Sequence, residues 1–115
     1  MNIPARNMAI IEKYDHFFNY IYPLAVNMSH KHKILKEDFI HALLTQYKLF
    51  HDAAKTNQKS KLFLADSNLA YIKEILRIMV NPQRKLLSRR QYETSSVLIC
   101  EAGSMLNSWI NRAKG

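Results

Sequence analysis

The sequence predicts an all-α fold, an antiparallel up-and-down four-helix bundle, from three observations. Gly occurs only at 103 and 115 and Pro only at 4, 23 and 82, so hairpins and tight turns have few residues to build them. Apolar residues recur at steps of three and four in four stretches separated by polar breaks, the spacing of a helix face. The 115 residues are 48% hydrophobic and 23% charged, the composition and size of one globular domain, expected over 1–115.

The first helix is expected over about 8–28, with Ile11, Tyr14, Phe18, Ile21, Ala25 and Met28 on its inner face. Pro23 falls inside that stripe, removes a backbone donor and predicts a kink or break near Asn19 to Tyr22. Ser29 to Lys33 is polar and aperiodic and reads as a loop. A second helix over about 36–56 then opens at Lys36, with Glu37 and Asp38 near its positive dipole end. Phe39, Ala42, Leu43, Gln46, Phe50 and Ala53 form its apolar face, and Leu49 and Ala54 widen it.

Thr56-Asn57-Gln58 is short enough to make the second and third helices antiparallel neighbours. The third helix, over 59–80, has an unbroken stripe of Leu62, Ala65, Leu69, Ile72, Leu76 and Met79. It ends at Asn81-Pro82, because the residue before proline is pushed out of the α region. Ser88 and Gln91 have the spacing of a capping box and start the fourth helix, over about 89–113. Its inner face reads as Tyr92, Ser96, Ile99, Gly103, Leu106 and Ile110, with Trp109 beside it. Helices one and three also carry Phe17, Tyr20, Tyr22 and Leu24, and Phe63, Leu64, Tyr71, Ile75 and Ile78, a surplus of apolar surface that points to self-association or partner docking.

Seventeen Lys and Arg stand against nine Asp and Glu, a formal charge of +8, which favours polyanionic partners such as nucleic acid. Cys100 is the only cysteine, so no internal disulfide can form and a cytoplasmic setting is expected. Arg6, Asn2 and Asn7 interrupt the first eleven residues, against a secretory leader, and no apolar run is long enough for a membrane partner.

Catalytic and metal chemistry find little support. Of His16, His30, His32, His41 and His51, the 30/32 pair flanks Lys31 in a basic loop, and cation repulsion opposes a metal there. Cys100, beside Ile99, reads as a packed thiol on the inner face of the fourth helix. Lys36 and His41 have the spacing of a helical ribonuclease pair, but lysine lacks arginine's planar grip on phosphate. No Gly-rich phosphate loop is present. The expectation is a non-enzyme without catalytic residues, metal or cofactor.

The basic residues are more informative. Lys73 and Arg77 share one face of the third helix, Arg84, Lys85, Arg89 and Arg90 gather at the third connector, and Lys55, Lys59 and Lys61 span the second. First and third connectors share one end of an up-and-down bundle, so Lys31 and Lys33 are expected near Arg84 to Arg90. Such patches take phosphate oxygens with salt-sensitive affinity and little base readout.

Specific stretches also resemble a known family. Lys13-Tyr14 with Tyr22-Pro23 eight residues on, Ser60-Lys61-Leu62 followed by Ala65-Asp66 and Leu69-Ala70, Leu98-Ile99 with Glu101 and Gly103, and Ser108-Trp109-Ile110 resemble the accessory variability determinant family of diversity-generating retroelements. The likeness runs over about residues 13–112 and includes Pro23 within the first helix. It implies a homopentameric ring of positively charged four-helix bundles. Such a ring binds the element's reverse transcriptase and template RNA to support mutagenic cDNA synthesis and retrohoming. Lys73 and Arg77 match family basic positions, although Lys73 replaces an arginine and Glu74 an apolar residue, which lowers the charge of that face and shifts weight to Arg84, Lys85, Arg89 and Arg90. An alternative is the related group of four-helix RNA-binding proteins associated with intervening sequences in 23S ribosomal RNA genes.

Overall fold

The fold follows from four amphipathic segments whose inner faces are too apolar to be left in water. The computed structural model describes residues 5–113, with side chains from residue 8 onward. The ends of the expected 1–115 domain, residues 1–4 and 114–115, lie outside the described residues, as does the start of the segment considered as a leader. Four helices follow in order, α1 (Ala5–Val26), α2 (Lys33–Thr56), α3 (Lys59–Val80) and α4 (Arg89–Arg112), with a 3₁₀ turn at His30–His32 and no strand among the described residues. Each helix packs on two neighbours, α1 on α2 and α4, and α3 on α2 and α4, leaving the diagonal pairs apart.

Local chemistry sets the boundaries. Pro23 neither breaks nor ends α1, which continues to Val26. Pro23 and Asn19 both face solvent, so the carbonyl that loses its amide partner is free to bond water. The Pro23 carbonyl itself accepts from Asn27 N at 3.3 Å and from Asn27 Nδ2 at 2.8 Å. The expected loop at 29–33 is instead an ordered 3₁₀ turn, whose N-cap Ser29 accepts from Lys31 N at 3.1 Å. α2 therefore starts at Lys33, and Glu37 and Asp38 lie beyond its first turn, which contains no acidic residue. That corrects their reading as dipole partners; Glu37 instead sits 4.0 Å from Lys33.

α2 ends on Asn57 at φ 53°, a left-handed cap that asparagine tolerates. α3 ends at Asn81, whose Oδ1 accepts from Gln83 N at 2.9 Å across Pro82. The capping box is formed at both bonds, Gln91 N to Ser88 Oγ at 3.0 Å and Ser88 N to Gln91 Oε1 at 2.9 Å. Two orphan backbone donors are thereby satisfied, worth roughly 1 kcal/mol.

The stripes of α2 and α3 are buried as read, with Ile75 added to the latter. On α1 the deepest aromatics are Tyr14 and Phe17, while Phe18 is only partly covered, so Phe17 is core and not surplus surface. On α4 the buried line is Ser95, Ile99, Ala102, Leu106 and Trp109. The expected line through Tyr92, Ser96, Gly103 and Ile110 is half-buried, since it turns toward the α3 side. Cys100 follows the same rotation and is exposed, correcting its reading as a packed thiol.

Polar groups inside the bundle are paired. Fully buried Gln46 donates to Ala65 O at 3.0 Å and accepts from Asn68 Nδ2 at 2.9 Å, while Asn68 also reaches Ala42 O at 3.0 Å. Only one register of α2 against α3 satisfies all three bonds, so this network fixes their alignment. Trp109 Nε1 donates to Asn57 Oδ1 at 2.9 Å. That bond sets the α2–α3 connector beside the end of α4, so the other two connectors lie at the opposite end.

Candidate nucleic-acid interface

The third connector is built by folding the chain back over the end of α3. Leu86 N and Leu87 N both donate to Met79 O, at 2.9 and 3.2 Å, and Arg84 Nε donates to Ile78 O at 2.9 Å. These bonds satisfy carbonyls that a helix end leaves open, and the Arg84 charge also complements the negative end of the α3 dipole. The reversal requires Lys85 to adopt φ 51°, in the left-handed region that a lysine occupies at a cost of about 1 kcal/mol. Leu87 drops into the core and Leu86 packs on its edge.

The result is an open groove of ≈ 760 Å³ between the end of α3 and the start of α4. Three of the expected cations, Arg77, Lys85 and Arg89, line it. Val80, Pro82, Leu86 and Leu87 supply apolar surface, and Asn81, Ser88 and Gln91 supply polar groups. The groove thus joins two basic groups that are separate in the sequence, one on α3 and one at the connector. Sequence reading missed its apolar lining. The signal available was the pair Leu86-Leu87 between a proline stop and a capping box, a connector too apolar to be merely solvated.

The remaining expected cations fall into different settings. Lys73 is exposed at the α3–α4 seam, its ammonium 3.5 Å from where a Cβ on Gly103 would stand. Arg77 grips Glu74 with two bonds, at 2.9 and 2.6 Å, which holds the Glu74 carboxyl below its ordinary range and raises Arg77. Arg89 lies 3.5 Å from Glu93, and Arg90 is exposed. Lys31, Lys55, Lys59, Lys61, Lys73, Lys85 and Arg90 form no ion pair among the described residues.

Topology puts Lys31 and Lys33 at the same end as Arg84 to Arg90, as the up-and-down reading requires, and Lys55, Lys59 and Lys61 at the other. At that second end Asp52 is drawn below the ordinary carboxylate range, first by its hydrogen bond from Lys48 and further by Lys61 and Lys55. One carboxylate therefore offsets part of that patch.

Other candidate chemistry is spent on structure. The Lys36 ammonium donates to Met28 O at 3.0 Å, which ties the residue considered as a phosphate grip to the end of α1. No three His, Cys, Asp or Glu groups converge as metal ligands among the described residues. No helix among them is long and apolar enough to cross a membrane. Of the surplus apolar residues, Phe63, Leu64 and Tyr71 are about half-exposed, at 53%, 51% and 48%, whereas Ile75 is buried and Tyr20, Tyr22, Leu24 and Ile78 are half-buried. Of the surplus positions the uncovered ones are thus on α3 and none is on α1, whose exposed large apolar residues are Met8 and Val26 near its ends; Ile34 and Leu44 on α2 and Val97 on α4 are further exposed positions.

Against known families, a model described as bAvd-like matches residues 8–113, nearly the whole described chain. No curated protein matches it.

Proposed function

The chain belongs to the bAvd-like family, and from that membership we propose that it is a non-catalytic accessory protein of a diversity-generating retroelement. It holds the element's reverse transcriptase and template RNA together during mutagenic cDNA synthesis and retrohoming, and it works as a homo-oligomer, a pentamer in the form the family resemblance implies. The observation that carries the RNA-binding part is the groove lined by Arg77, Lys85 and Arg89, which gathers positive charge from two elements onto one surface. The exposed apolar residues of α3 supply a face for a second copy.

The test is charge reversal in two sets, Lys73→Glu with Arg77→Glu, and Arg84, Lys85, Arg89 and Arg90 each to Glu. Circular dichroism verifies that each variant folds. Losing two phosphate contacts weakens RNA binding roughly tenfold near 0.2 M salt and flattens its salt dependence. Binding of RNA and transcriptase that is unchanged in both sets overturns the reading. Light scattering tests the assembly, since a species of 13.5 kDa in solution overturns the oligomer.

A further inference from the structure

We propose that the groove under the α3–α4 connector holds one nucleotide of a single strand, its base against Val80 and Leu86 and its phosphates on Arg77, Lys85 and Arg89. The proposal deepens the RNA-binding reading and rests on it. A surface that only collects phosphates needs cations and nothing else. This groove has cations beside an apolar floor, and no carboxylate lines it among the described residues. Its ≈ 760 Å³ falls in the size range of small-molecule sites.

A nucleotide matches that pairing of surfaces within one repeat unit. Its base offers two flat faces, one for the aliphatic floor and one for a guanidinium plane, and its phosphates carry the charge that the cations lack. An acidic peptide supplies charge without a flat apolar partner and leaves Leu86 and Val80 wet. Gln91 adds a fixed donor, because Ser88 N–H holds its Oε1 at 2.9 Å and thereby aims its amide Nε2, which has no protein acceptor among the described residues. Glu74 and Glu93, the ion-pair partners of Arg77 and Arg89, are exposed and do not line the groove, whereas both arginines do.

The experiment is fluorescence anisotropy on the full chain with labelled octauridylate, an abasic strand of equal length and an octaglutamate peptide. The proteins are the unmodified chain, Leu86→Ser and Lys85→Gly. The unmodified chain is expected to bind the intact strand at least about fivefold more tightly than the abasic one, the worth of one base contact. Leu86→Ser is expected to erase that preference, while Lys85→Gly weakens both strands and lowers the salt slope by about 0.7. Equal binding of intact and abasic strands by the unmodified chain overturns the nucleotide site but leaves the RNA-binding reading standing. Binding to neither strand removes both. Octaglutamate bound as tightly as the intact strand identifies a peptide site and overturns the proposal. The comparison of strands on the unmodified chain decides the matter even if Leu86→Ser does not fold.

Discussion

Lys85 shows how a single residue can be placed against its own preference. Its left-handed backbone lets Leu86 and Leu87 turn back onto Met79 O, a task that glycine performs without steric cost. Lys85→Gly should therefore stabilise the protein by about 1 kcal/mol in chemical denaturation while weakening strand binding. A gain in stability together with a loss of affinity separates the side chain's charge from its backbone. A second residue-scale consequence concerns the aromatic layer between α1 and α2. Burial raises the Tyr14 hydroxyl, and burial together with its 2.5 Å hydrogen bond to Asp15 raises Tyr47. Because the fold favours the neutral phenols, their contribution is complete below the ordinary value of 10.0 and is lost as pH rises above it. Stability should hold to about pH 10 and then fall, and Tyr14→Phe should flatten that decline in a urea titration repeated across pH. None of this was legible beforehand, because a backbone angle and a hydrogen bond to Asp15, 32 positions away, leave no mark in local periodicity.

At the level of elements, α2 and α3 were readable almost residue by residue, since each carries one continuous stripe and a clear stop. On α4 the period is legible but the phase is offset by part of a turn. Its stripe through Tyr92, Ser96 and Gly103 has the right period, but Ser95 and Ala102 are small enough to look neutral and prove to be the buried ones. The same offset in phase leaves Cys100 exposed. A Cβ at Gly103 would stand 3.5 Å from the Lys73 ammonium and 3.5 Å from Leu69 Cδ2, ordinary contact distances that do not require glycine. A methyl group fits there, and alanine avoids the entropy that a mid-helix glycine loses. Gly103→Ala is expected to stabilise α4 by roughly 0.5–1 kcal/mol in thermal or urea unfolding. A destabilised variant would mean that Lys73 cannot move aside. Of the two outcomes Pro23 predicts, a break does not occur, and the helix carries the proline on a face where the carbonyl that loses its partner meets water.

For the whole molecule, the up-and-down topology was legible because short connectors leave few alternatives. The groove was not, since it exists only when the third connector folds back against two helices. Electrostatics at this scale follows from the same topology: Lys55, Lys59 and Lys61 occupy one end of a body 44 Å long, and Arg84 to Arg90 with Lys31 and Lys33 occupy the other. Charges at opposite ends are therefore several screening lengths apart, given a Debye length of about 8 Å at physiological ionic strength. Substitutions at the two ends should act on RNA affinity additively to within about 0.5 kcal/mol in a double-mutant cycle. On the proposed RNA-binding function, two ends that do not sense each other would make the chain a double-headed connector, able to release one ligand without loosening its hold on another.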